Sequence, residues 1–189
     1  MSNFRIRVEP TSVATLLRVL EATASHRDAS PDQLADFSGL GKSTLSRALT
    51  NLQTLGLVTK SERGGFSCTD PGMKRGLNDT AAMDIVRRAL ISYRPFEAVC
   101  EGLALGESYH EAARKAGSLL GIATGELKKL EIVFRWAIDL GLVSTEAGSF
   151  KLAASIHPTG AVEETVLPSD ATHSVAQARL YLASALAGC

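Results

Sequence analysis

The chain has 189 residues, 45% of them hydrophobic and 21% charged, with twenty Lys and Arg against twenty Asp and Glu. That is ordinary globular composition, enough for one large domain or two small ones that fold and stay soluble, and the absence of net charge gives the chain as a whole no attraction for polyanions. Three widely spaced cysteines, Cys68, Cys100 and Cys189, argue against a disulfide framework or a Cys-based zinc site.

The opening "MSNFRIRVEP" has no apolar core of signal-peptide length, and no later window reaches a membrane span. The expectation is a soluble, cytoplasmic protein. The first periodic run, "SVATLLRVLEATAS", sets Val13, Leu16, Leu17 and Leu20 on one side of a helix. In "SPDQLADFSG", Ser30 is an N-cap, Pro31 suits the first helical position and Asp32 faces the positive end of the dipole. A short helix over Pro31 to Phe37 follows from that chemistry.

Gly-Lys-Ser-Thr at 41–44 resembles the end of a nucleotide-binding P-loop, but the first glycine of that motif would have to stand at Asp36, and no strand precedes the loop. An ATP site is therefore rejected. "SGLGKS" supplies instead the glycines of a tight turn between helices. Leu45, Ala48, Leu49, Leu52 and Leu55 then form one apolar face at spacings of three and four. Ser43, Thr44, Ser46, Arg47, Thr50 and Asn51 lie between them, a small, hydrogen-bonding set with one cation and no acid, suited to phosphates and groove edges. Gly56 ends this helix, Leu57 to Lys60 reads as a strand, "SERGG" as a turn, and Phe66 to Thr69 as the returning strand.

On these residues, Leu16 to Thr69 resembles a winged helix-turn-helix domain of bacterial transcriptional regulators. The match rests on the turn glycine, the S-T-x-S-R centre and the L-x-x-L-G-L-V exit into the wing. The resemblance implies that the third helix enters the major groove of double-stranded DNA while the wing tip lies over the adjacent backbone. Carried over by position, it implies DNA contacts by Lys42, Ser43, Thr44, Ser46, Arg47, Thr50 and Asn51 on the helix, and by Lys60, Arg63, Gly64 and Gly65 on the wing. Between Phe37 and Arg75, six basic residues (Lys42, Arg47, Lys60, Arg63, Lys74, Arg75) face two acids, Glu62 and Asp70. A local basic patch on a neutral chain suits focused phosphate contact.

The next segment, "NDTAAMDIVRRALISYRPFEAVCEGLALGESYHEAARKAG", is helical, with a break expected at Arg94-Pro95. Met83, Val86, Leu90 and Ile91 make one stripe, and Phe96, Val99 and Leu103 another. Arg87 and Arg88 extend the basic surface or are merely solvated.

A shift of 85 positions superposes Leu55–Val58 on Leu140–Val143, Leu45 on Leu130, Leu49 on Phe134 and Leu34 on Leu119. "LVSTEAGSFKLA" reads as a second, shorter wing. The exposed chemistry does not repeat, because Gly117 to Lys151 carries four basic and four acidic residues. With Ile132, Phe134, Trp136 and Ile138 apolar on more than one side, this helix is expected to be buried against the chain or a partner.

"SIHPTGAVEETVLPSD" reads as a linker, and "ATHSVAQARLYLASALAGC" as a helix that folds back or pairs with a second subunit. The four histidines lack zinc-ligand spacing, His110-Glu111 lacks the second His of H-E-x-x-H, and G-x-S-x-G is absent. Neither catalysis, nor a metal, nor a cofactor is expected.

The sequence thus predicts a mainly α fold with small β-hairpin wings: two winged helix-turn-helix domains in tandem plus a C-terminal helix. The expected boundaries are 1–78 for the DNA-binding domain, 79–154 for the helical connector and second domain, and 155–189 for the linker and final helix. The functional expectation is a sequence-specific transcriptional repressor acting as a homodimer, with a protein partner possible at the second domain. The rival reading is a non-catalytic interaction subunit of an SMC-type or phage-defence complex, resembling kleisin-associated tandem winged-helix subunits.

Overall fold

The computed structural model describes residues 5–69, 79–146 and 149–153. The expected linker and C-terminal helix, together with Lys74, Arg75 and Asp70, lie outside the described residues.

Residues 5–11, which form no helix or strand, lead into α1 (Val13–Ser25), whose first turn is capped by the Ser12 hydroxyl accepting from the Thr15 amide. Next comes α2 (Pro31–Ser38). Its Ser30 and Gln33 form a reciprocal capping box, and Gly39, left-handed at φ 64°, ends it. The turn Leu40-Gly41 delivers α3 (Lys42–Thr54). Leu16, Val19 and Leu20 of α1, Leu34 of α2 and Leu45, Leu49 and Leu52 of α3 are all buried together.

The wing is β1 (Val58–Lys60) paired antiparallel with β2 (Phe66–Cys68), with Thr59 opposite Ser67. A third edge comes from the stretch before α2: Ala29 and Phe66 exchange both backbone hydrogen bonds, and the Asp28 amide donates to the Ser67 hydroxyl. The wing root is therefore fastened to the helix-turn-helix rather than hanging from α3 alone.

Helix α4 (Asp79–Ile91) follows, then α5 (Arg94–Ala104). The break falls at Ser92-Tyr93 instead of Arg94-Pro95, because Pro95 lies in the first turn of α5, where a missing N–H costs no helical bond. Arg87 is structural rather than part of a basic surface. Its Nε donates to the Leu140 carbonyl at 2.8 Å and it pairs with Asp84 at 2.9 Å. Arg88 is exposed.

Helix α6 (Tyr109–Leu120) has its own capping box, Ser108 with Glu111, and ends at the left-handed Gly121. After a 3-10 turn, Thr124–Lys129, come α7 (Leu130–Asp139) and a hairpin of β3 (Val143–Glu146) and β4 (Ser149–Leu152). The helix exit recurs bond for bond. Leu57 N–H donates to Leu52 and Leu142 N–H to Ala137, each at 2.8 Å, around Gly56 and Gly141 at φ 71° and 69°.

Upstream of that exit the 85-residue register fails. From the turn glycine to the exit leucine there are 16 residues in the first half (Gly39 to Leu55) and 19 in the second (Gly121 to Leu140). Leu119 is accordingly not the counterpart of Leu34: it is 67% exposed, and Ala116, at 2%, takes the inward place. An insertion of three residues is close to one helical turn, so the downstream apolar face keeps its phase. Helix α7 is buried through Leu130, Val133, Phe134, Trp136 and Ala137, while Ile138 remains partly exposed. The two halves share one continuous core, with Val86 and Leu90 of α4 buried in it.

Candidate nucleic-acid interface

Helix α3 presents its outer row because its inner row is fixed. Leu45, Ala48, Leu49 and Leu52 are buried, which turns Lys42, Ser43, Thr44, Ser46 and Arg47 to solvent and leaves Thr50 half-buried. Gly41 caps α3 without a side-chain hydrogen bond. The first-turn amides thus have no side-chain acceptor of that kind, and the positive end of the dipole faces outward.

Between α3 and the wing runs a groove of about 330 Å³, lined by Lys42, Ser46, Thr50 and Gln53 on one side and Lys60 and Phe66 on the other. Lys60 lies 5.8 Å from the centroid of the Phe66 ring, a cation-π placement that steadies its long side chain. Arg63 stands exposed at the wing tip. The Thr50 hydroxyl donates to the Ser46 carbonyl at 2.9 Å, as a helical threonine does when nothing else claims it.

Lys42 is already paired. Its ammonium meets the Asp32 carboxylate at 2.7 Å, and this hydrogen bond, with the carboxylate's charge and that of Asp36, holds the Lys42 pKa above the ordinary lysine value. Both partners are largely exposed, so a phosphate can compete for the lysine.

Three residues expected at the interface serve the fold instead. Asn51 is wholly buried. Its Oδ1 accepts from the Glu9 amide at 2.8 Å and its Nδ2 donates to the Glu9 carbonyl at 3.0 Å, which leaves its amide no face toward a groove. The Gly64 amide donates to the Ser61 carbonyl and the Gly65 amide to the Ser61 hydroxyl, so neither points out to phosphate. Gly65 is buried against Asp28, where a Cβ would come within 2.7 Å of the Asp28 carbonyl carbon.

Gln53 is a groove residue that sequence reasoning passed over. Its signal was present: positions 42, 46, 50 and 53 follow helical spacing. Among the described residues no cluster of His, Cys, Asp and Glu could hold a metal, and no helix is long and apolar enough to cross a membrane.

Residues 15–65 match the MarR family. This stretch runs from within α1 to the wing turn and contains the whole of α3. The chain is also 25% identical over 122 residues to the HTH-type transcriptional regulator GlpR of Haloferax volcanii, an alignment covering 61% of this chain and 48% of that protein. The chain therefore spans about half the length of the curated relative it matches. A solved O-methyltransferase, NcsB1 of neocarzinostatin biosynthesis, aligns at 20% identity and TM-score 0.31 over 62% of this chain and 42% of its own. That likeness is too low to bear on fold or activity.

Proposed function

We propose that this protein is a sequence-specific DNA-binding transcriptional regulator, a cytoplasmic repressor that acts as a dimer. The observation that carries the reading is the groove in which the exposed row of α3 faces Lys60 of the wing, inside the stretch that matches the MarR family. In this reading Arg47, Ser43, Thr44 and Ser46 approach base edges, and Lys42, Lys60 and Arg63 approach phosphates. Gln53 joins them from the groove wall. The name of the Haloferax volcanii relative is consistent with the same class of function.

The proposed organisation is a DNA-reading winged helix-turn-helix at 1–78, a connector and second winged helix-turn-helix at 79–154, and a third segment at 155–189. The second unit is assigned to protein contact. Lys128, Glu131, Arg135 and Asp139 alternate in sign on its outer surface, and the exposed Leu105, Leu119 and Ile138 belong to it.

The test is fluorescence anisotropy with a duplex from the gene's own upstream region beside a scrambled duplex, at two salt concentrations. Selective binding that weakens with salt supports the regulator. Absence of binding to either duplex overturns it in favour of an interaction subunit.

A further inference from the structure

Residues 5–11 join α3 to the 3-10 turn Thr124–Lys129 and to α7. The backbone polar groups of this segment, which belongs to no helix or strand, are divided between the two halves of the fold. Ile6 faces the second half: its amide donates to Glu126 Oε2 at 3.2 Å and its carbonyl accepts from Lys129 Nζ at 2.9 Å. Arg7 and Glu9 face the first. The Thr54 hydroxyl is shared between the carbonyls of Arg7 and Thr50, each at 2.8 Å, and Asn51 takes both polar groups of Glu9. The Thr11 carbonyl then accepts from Trp136 Nε1 at 2.6 Å. The side chains of Ile6 and Val8 are buried.

Asn51 and Trp136 occupy corresponding positions of the two helices, four residues before Leu55 and Leu140, where the backbone bonds recur. One position carries different side chains, yet each is fully buried and each reaches the same short segment.

We propose that residues 5–11 form a strut shared by α3 and α7, with Asn51 and Trp136 as its paired positioning residues, which sets the outward presentation of α3 and couples it to the second half. The coupling to DNA rests on the proposed regulator function; the strut itself does not. A ligand seated on α3 shifts the strut, and the shift is read at Trp136.

Trp136 is the only tryptophan of the chain, so its emission reports the strut directly. The full chain is compared with Asn51→Leu, which keeps the bulk and removes both Glu9 bonds, and with Thr54→Val, which removes one shared hydroxyl and leaves the core intact. Both substitutions lie on α3, yet both raise acrylamide quenching of Trp136 and move its emission to longer wavelength. Thr54→Val decides the matter should Asn51→Leu fail to fold. In urea unfolding, Thr54→Val combined with Trp136→Phe departs from the product of the single effects by at least about twofold, as residues of one hydrogen-bonded network do.

Wild-type quenching in the folded Thr54→Val variant, together with additive stabilities, overturns the strut. Adding the upstream duplex changes Trp136 emission in the wild type. A wild type that binds no duplex removes the regulator reading while the quenching and urea measurements still decide the strut.

Discussion

Replacing Gly65 by alanine tests how the wing is fastened. The added Cβ would lie 2.7 Å from the Asp28 carbonyl carbon and closer still to two Asp28 oxygens, so backbone has to move. Asp28 cannot yield easily: it sits at φ 53°, its amide is bonded to Ser67, and its neighbour Ala29 exchanges two backbone hydrogen bonds with Phe66. Relieving the overlap by releasing the wing forfeits three hydrogen bonds worth about 1 kcal/mol each, and absorbing it as overpacking costs about 1–3 kcal/mol. The two routes together predict a loss of about 1–3 kcal/mol in urea unfolding, or roughly 2–12 °C in Tm for a chain of this size. Gly64→Ala is the control. At φ 87° with open space around its Cβ, it should cost only about 1–2 kcal/mol, from the left-handed backbone alone. Equal stabilities for Gly65→Ala and wild type would refute the close approach of Asp28 to the wing, and with it the account of the wing as a three-edged sheet.

Arg47→Ala should weaken binding to the preferred duplex by about 1–3 kcal/mol and relax base preference at one position, whereas Lys60→Ala should weaken all duplexes alike and lower the salt slope by about one. Equal anisotropy curves for Arg47→Ala and wild type would remove α3 from the groove. Burial pushes the Cys100 thiol up to about 12, with Glu101 and Glu97 adding to the effect. Iodoacetamide at pH 8 should therefore leave Cys100 unmodified in the native protein and label it in urea, as peptide mass analysis would show. Desolvation raises the Glu126 carboxyl, but the Ile6 amide and Lys129 outweigh it and hold the group below its ordinary pKa. Its contribution to stability is then present at neutral pH and lost as pH falls through the carboxylate range. Glu126→Gln should accordingly show a flatter loss of stability on acidification than wild type, followed by Trp136 fluorescence.

The sequence by itself was enough for the features written in local chemistry. Ser30 with Gln33, the turn at Gly39 and the spacing of Leu45, Leu49 and Leu52 specify a helix, a turn and a second helix through contacts within a few residues of one another. The L-G-L-V exits did the same for both hairpin entries, since a left-handed glycine and an i-to-i−5 hydrogen bond involve only neighbours. The outward row from Lys42 to Thr50 follows once the inward row is known. Tertiary structure decided what depends on a partner far along the chain. Asn51 has the composition of a base-reading residue and the right helix, but Glu9, 42 residues away, claims both ends of its amide. Gly65 reads as turn chemistry, and its need for glycine comes from Asp28 across the wing. The inward place of Ala116 instead of Leu119 was hidden for a related reason: identity at the exits fixed one register, while the extra turn before α7 could be absorbed without disturbing the apolar face on which that register was judged. A side chain's direction is set by periodicity, but its partner is set by what the fold brings against it, and one sequence carries no distance between residues 9 and 51.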